Sequence, residues 1–305
     1  MKFIPILKTK YAEFEALPLI KDLRNIIPYI EVTKNIPPSY MNELRDLHQG
    51  FISIASNKEY LVNSSLEIIL NSNLIPILIM NNEKDIFHKK QYIDKLSCSY
   101  GIKTTTNNLD ILYSLFKNLN NKPSYIFLDT NRNNIRSELD KIKLITSLFR
   151  NFSNFYLSYT DRQITTNEIF AKSPNTYLNL EPIKDFQTFD KLGINGIANY
   201  VSLKNELTSE NIKNSKTTAL LTLLSEKSLR PINYSTSSKE EIYKAYMHLL
   251  EVLKEKKEEI FLLFKNDQIS TNYFKYLLKS KPFSSHFFTL QIIRYCSVIN
   301  DYFNS

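Results

Sequence analysis

Short, almost continuously apolar runs recur along the chain before residue 205. They are Phe3–Lys8, Ile26–Val32, Phe51–Ala55, Leu74–Met80, Tyr125–Asp129, Phe155–Tyr159, Thr176–Glu181 and Ile197–Leu203. Runs this short, apolar at consecutive positions, have the pattern of strands buried on both faces. Amphipathic stretches over 11–24, 58–72, 84–97 and 134–150 lie between them. Alternation of this kind predicts parallel βαβ units. Eight strand candidates predict a closed (β/α)8 barrel of the TIM type, since closure removes the sheet edges. A doubly wound open parallel sheet is the alternative. Pro5, Pro28 and Pro76 fall inside three of the runs. They predict bulges or strand starts, because proline has no N–H to give the ladder. Residues 107–120 read as an additional helix between the fourth and fifth strands.

After residue 205 the pattern changes. Ala219–Leu224 and Arg230–Tyr234 read as a hairpin. The stretch 238–264 reads as one long helix or two, with Ile242, Tyr246, Leu249, Leu250 and Leu253 on one face. Further helices are predicted near 269–279 and 285–302. The expected organisation is a barrel core over 1–205, with the hairpin and a C-terminal helical cap over 206–305 packed on it. No low-complexity linker and no solenoid repeat interrupts the chain.

Composition refines the picture without assigning a reaction. Of 305 residues, 43% are hydrophobic and 23% charged, with a net charge of +8 and pI ≈ 9.1. A basic balance suits acidic partners or nucleic acid. The excess is spread out, however: residues 201–305 carry 15 basic and 11 acidic side chains, hence half of it. Only four glycines are present, and no Walker, GxGxxG or GxSxG motif occurs, which excludes the usual glycine-rich nucleotide cradles and the nucleophile elbow. Cys98 and Cys296 form no CxxC pair and read as free buried thiols. His48, His88, His248 and His286 are scattered, without HExxH spacing. No signal peptide and no membrane span is expected, so the cytoplasm is the expected location.

In barrel enzymes the working groups stand at the C-terminal ends of the strands. The runs above would place Lys8, Glu31, Ser56, Asn81, Asp129, Tyr159, Glu181 and Lys204 there, with Arg132 and Arg162 on the loops just beyond. Glu31, Asp129 and Glu181 are the candidates for acid/base work, and a divalent metal is the one cofactor they would suit. Lys8, Lys10, Tyr159, Lys204 and the two arginines are the candidates for holding an anionic ligand.

The opening Phe3-Ile4-Pro5-Ile6-Leu7-Lys8, with Glu13, Ala16 and Leu17, followed by Ile26-Ile27-Pro28-Tyr29-Ile30-Glu31, resembles the Beta protein family of bacteria and phages. It resembles still more closely a sister family encoded beside a predicted restriction-endonuclease-fold partner. Leu74-Ile75-Pro76-Ile77-Leu78-Ile79 is similar to that family's apolar strand, and Phe283 to Asn300 to its C-terminal helix. Gly196-Ile197-Ala198-Asn199-Tyr200-Val201-Ser202 is similar to a motif with Asp before Tyr-Ser, so Asn199 joins the candidate ligand-binding residues. The resemblance implies a barrel fold and a role in phage defence or DNA restriction. It also implies a nuclease-like partner from a neighbouring gene. Asn199 for Asp, Ala171-Lys172-Ser173-Pro174 for a charged segment, and Asn233-Tyr234 for a His all remove titratable groups. Those departures favour a binding or accessory component, its barrel mouth taking nucleic acid, a nucleotide or an acidic partner. A metal-assisted phosphoester hydrolase and a scaffold docking a partner through the C-terminal helices are the other readings.

Overall fold

Eight strands close into one ring in the computed structural model. It describes residues 1–54, 72–82, 85, 99–118, 121–130, 135–158, 189, 191–201, 218–224, 229–235 and 241–304. The strands are β1 (Lys2–Lys8), β2 (Tyr29–Val32), β3 (Gly50–Ile54), β4 (Leu74–Ile79), β5 (Gly101–Thr105), β6 (Tyr125–Asp129), β7 (Asn154–Ser158) and β8 (Gly196–Tyr200). They pair in chain order, every neighbour parallel, and β8 returns to β1. The register runs from Ile6 through Tyr29 and Phe51 to Ile75, resumes at Ile77 through Gly101 and Tyr125 to Asn154, and resumes at Tyr156 through Gly196 to Lys2. Four residues separate Lys2 from Ile6, and two steps of two residues were taken on the way, so the stagger is about eight, as in TIM barrels. The expected fold class is therefore observed, and the open sheet is not.

The strand set differs from the expected one at one place. Gly101–Thr105 is a barrel strand that the apolar pattern passes over, and β7 is hydrogen-bonded directly to β8. The run 176–181, expected to be a strand, lies outside the described residues. The helix expected between the fourth and fifth strands consequently follows β5. Pro5 and Pro76 are interior strand residues, in register with Asn199 and Ile52, and not strand starts. Each forfeits one N–H while its neighbours keep the ladder.

Side chains alternate across a strand, and the inward set fills the barrel. Ile4, Ile6, Ile27, Tyr29, Phe51, Ile77, Phe127, Tyr156 and Ala198 form one buried cluster. Its centre is aromatic: Phe127 lies 5.0 Å from Phe51, 5.0 Å from Tyr156 and 5.1 Å from Tyr29, measured between ring centroids. Gly196 makes room for the Tyr156 ring, and Gly101 for Ile77 and Tyr125. A Cβ on Gly101 would stand 2.9 Å from the Tyr125 carbonyl oxygen, and one on Gly196 2.5 Å from that of Lys2.

The chain divides into two units. The first holds β1–β8 with α2 (Pro38–Arg45), α3 (Leu109–Asn118) and α4 (Ile135–Phe149). Pro38 opens α2, where its fixed φ suits the first turn, and Ile142, Ile145 and Phe149 are the buried stripe of α4.

The second unit is not one continuous stretch, because α1 (Tyr11–Ile20) groups with the C-terminal elements. These are the antiparallel hairpin β9 (Thr218–Leu224) and β10 (Leu229–Ser235), then α5 (Ile242–Glu255), α6 (Lys257–Leu263), α7 (Gln268–Lys279) and α8 (Ser284–Asn304). The hairpin and the C-terminal helices follow the sequence expectation, with Ile242–Glu255 and Lys257–Leu263 as two helices. On α8, Thr289 Oγ1 donates to the Ala12 carbonyl (3.2 Å) or to Glu15 Oε2 (3.0 Å), and Tyr273 donates to Glu15 Oε1 at 2.7 Å. These bonds seat α1 on α7 and α8. Among the described residues no helix is long and apolar enough to cross a membrane.

Candidate functional site

The alternation that buries Ile4 and Ile6 inside β1 also turns Lys8 inward, at the C-terminal end of the same strand. By the same rule Tyr29 is followed by Glu31, Phe51 by Ser53, Phe127 by Asp129 and Tyr156 by Ser158. Lys8, Glu31 and Ser53 are register partners across β1, β2 and β3; Asp129 and Ser158 are partners across β6 and β7. Six polar side chains thus stand at one rim once Lys103 of β5 is included. All but Asp129 are buried.

Lys103 is in register with Phe127, one inward position below Asp129, and its Nζ reaches Asp129 Oδ2 at 3.4 Å. Beneath the rim lies the Tyr29 hydroxyl. Burial pushes it up to about 12; Lys103 and Ser53 act against that rise, and Glu31 and Asp129 reinforce it. One phenol on β2 therefore senses side chains of β2, β3, β5 and β6. Glu31 and Asp129, far apart in sequence, face the same interior.

Among the described residues, hydroxyls hold the chain after β1, β2 and β5 at this rim. Thr9 Oγ1 accepts the backbone N–H groups of Thr33 and Lys34, both at 3.0 Å, and lies 3.1 Å from Thr33 Oγ1. This ties the chain just after Lys8 to the chain just after Glu31. On the β5–β6 side, Thr106 Oγ1 donates to Glu138 Oε2 of α4 at 2.8 Å, and Lys141 pairs with the same carboxylate at 3.2 Å.

The residues singled out from the sequence divide accordingly. Lys8, Glu31 and Asp129 come together at the rim. Lys10 occupies the position before the first turn of α1, makes no side-chain capping bond there, and belongs to the second unit. Asn199 is buried, but it follows inward-facing Ala198 and so lies on the outer face of β8, away from the mouth. Asn81 is exposed, its N–H bonded to Asp85 Oδ2 at 2.7 Å. Glu181, Arg132, Tyr159, Arg162, Lys204 and Ser56 lie outside the described residues. Sequence reasoning missed Lys103, Tyr29, Ser53 and Ser158. The long interval between Met80 and Tyr125 leaves room for a whole extra βα unit, and that spacing was the available signal for Lys103.

Two lysines, two carboxylates and three hydroxyls at one mouth can hold an oxyanion or exchange a proton with a bound ligand. Among the described residues no group of three or more His, Cys, Asp or Glu is placed to hold a metal ion. No family model matches the sequence, and no curated protein matches it significantly.

Proposed function

We propose that the C-terminal rim of the barrel binds an anionic ligand, and that the chain is the binding or accessory component of a bacterial phage-defence or DNA-restriction-type system. The observation that carries the binding reading is the pair of inward ammonium groups, Lys8 and Lys103, at the rim where TIM barrels place their ligands. The defence setting rests on the resemblance in Phe3–Lys8, Ile26–Glu31 and Leu74–Ile79, and on the basic net charge of +8.

The test is equilibrium binding of a fluorescent nucleoside triphosphate analogue and of a labelled oligonucleotide, at low and at raised salt. Binding that weakens with salt and is lost in both Lys8→Ala and Lys103→Met supports the reading. No binding of either probe, or binding that ignores both substitutions, overturns it. Co-purification with the product of the neighbouring gene tests the accessory role. A neighbour that neither co-purifies nor changes activity in the chain's presence contradicts that role.

One observation favours a second reading, metal-assisted phosphoester hydrolysis: Glu31 and Asp129 both act on the Tyr29 hydroxyl and so face the same interior. Mg²⁺- or Mn²⁺-dependent cleavage of a phosphoester, abolished by Asp129→Asn, would carry it. Unchanged melting with either metal and no cleavage would remove it.

A further inference from the structure

Three buried hydroxyls of the barrel, Tyr29 Oη, Ser53 Oγ and Thr130 Oγ1, have no hydrogen-bond partner among the described residues, and the first two share the interior. Tyr29 Oη and Ser53 Oγ face each other, yet neither makes a hydrogen bond of ordinary geometry, and Tyr29 is 1% and Ser53 3% exposed. A buried hydroxyl left in that state is costly, and native interiors leave few of them. Ser53 stands on the inward face at the rim, level with Glu31, and the Tyr29 hydroxyl lies in the field of Lys103, Glu31 and Asp129. The position is not a loop accident, because each hydroxyl sits on a strand whose register is fixed: Tyr29 is the partner of Ile6 and Phe51, Ser53 of Glu31.

We propose that Tyr29 Oη, Ser53 Oγ and Lys103 Nζ form a seat for a single oxyanion, the terminal phosphoryl or carboxyl group of a small molecule. This deepens the ligand-binding reading above and rests on it. Three donors of this kind match an anionic oxygen: two O–H groups and one ammonium, each forming a charge-assisted bond. The depth of the seat selects the class of ligand. The interior of an eight-stranded barrel is only wide enough for side chains or one small group, and Phe51, Phe127 and Tyr156 already fill it around Tyr29. Tyr29 Oη and Ser53 Oγ are closed to solvent, so the rim side chains must part to admit a ligand; an end group asks for a small opening, and the backbone of a nucleic-acid strand, with a sugar on either side of each phosphate, for a far wider one. Charge points the same way. Lys103 is matched by Asp129 at 3.4 Å, and Glu31 stands beside Lys8 in register, so the described lysines of the rim do not form the uncompensated cationic surface that polymer binding uses. Its selectivity comes from directed hydrogen bonds.

The experiment uses the full chain, with thermal melting and equilibrium titration of the wild type, Tyr29→Phe and Ser53→Ala. Inorganic phosphate and acetate are the probes for the two oxyanion sources, and a single-stranded oligonucleotide is the polymer control. The expected result has three parts. Without anion, Tyr29→Phe melts at or above the wild-type temperature, because it deletes an unsatisfied group. Phosphate or acetate raises the wild-type melting temperature, and the one with the larger effect identifies the end group. Tyr29→Phe and Ser53→Ala each weaken that anion's binding by about tenfold or more, the loss expected for a bond to a charged group. Three results overturn the seat: a Tyr29→Phe chain less stable than wild type without anion, anion binding unchanged by both substitutions, or no binding of either small anion. If the oligonucleotide binds through Lys8 and Lys103 while phosphate and acetate do not, the seat falls and the broader ligand-binding reading stands. If no probe binds, both fall.

Discussion

Lys103 Nζ lies 3.4 Å from Asp129 Oδ2, although the two residues are not register partners: Lys103 is opposite Phe127, and Asp129 is opposite Thr105. The lysine leans along β5 toward the rim and meets the carboxylate of the next strand inside the barrel. Its side chain is 9% exposed and that of Asp129 24%. Removing one partner leaves a poorly hydrated charge. Lys103→Ala should therefore lower stability by about 2 kcal/mol, less than a fully buried pair because Asp129 touches water. The double change Lys103→Met with Asp129→Leu should recover most of that loss. Urea unfolding midpoints decide: fully additive losses would contradict a coupled pair.

High pH should unfold the barrel through its tyrosines. Burial pushes the Tyr29 hydroxyl up to about 12, and burial with a contribution from Tyr125 pushes Tyr156 up to about 12. In the unfolded chain both ionise near 10. A folded pKa above the unfolded one gives stability that is complete below pH ~10 and is lost as pH rises toward ~12. Two units at Tyr29 correspond to a loss on the order of 3 kcal/mol. The urea midpoint of the wild type should fall steeply over that window, and that of Tyr29→Phe less steeply. Equal slopes would contradict an interior phenol at position 29.

In the second unit each of the three guanidinium nitrogens of the buried Arg294 donates a hydrogen bond. Its Nη1 meets Asp267 Oδ2 at 2.9 Å, its Nε the Leu224 carbonyl at 2.8 Å and its Nη2 the Leu263 carbonyl at 2.9 Å. Asp267 in turn caps α7 by accepting the Ser270 N–H at 2.9 Å. The guanidinium thus ties β9, the end of α6, the start of α7 and α8 together. Arg294→Met strands the Asp267 charge and two carbonyls and should cost about 3–5 kcal/mol. Lysine has no fork and should rescue little. Calorimetric melting of Arg294→Met and Arg294→Lys checks this; a lysine variant as stable as wild type would contradict it.

Gly101 and Gly196 test the barrel directly. The atoms a new Cβ would strike include the backbone oxygens of Tyr125 and Lys2, which cannot rotate away. Gly196→Ala, with the closer approach, should destabilise by about 1–3 kcal/mol and more than Ala at Gly193, where nothing lies within 4 Å but φ is +74°. Denaturant titration of the two variants gives the order.

Seven of the eight barrel strands were legible because their apolar runs are nearly unbroken, as burial on both faces demands. Gly101-Ile102-Lys103-Thr104-Thr105 was not. Its inward side carries Gly, Lys and Thr, chosen for space and for the rim, and only Ile102 is an apolar marker. The same substitution of chemistry for hydrophobicity hid Lys103 from the candidate site. Lys8, Glu31 and Asp129 were legible because each ends an apolar run, where a polar residue marks the rim. Asn199 misled for the complementary reason: proximity to a strand end does not say which face a side chain takes, and a single residue decides it. The grouping of α1 with α7 and α8 rests on Glu15, Thr289 and Tyr273 meeting across more than 250 positions of sequence, and no local pattern encodes such a contact.

The binding of an oxyanion at the C-terminal rim is tested most directly by calorimetric titration of the full chain with inorganic phosphate at low ionic strength, wild type beside Lys103→Met. Saturable binding in the wild type, weakened by added salt and reduced about tenfold or more in Lys103→Met, is the predicted result. Wild-type protein that takes up neither phosphate nor, in a parallel titration, acetate, or Lys103→Met protein that binds the anion as tightly as wild type, contradicts it.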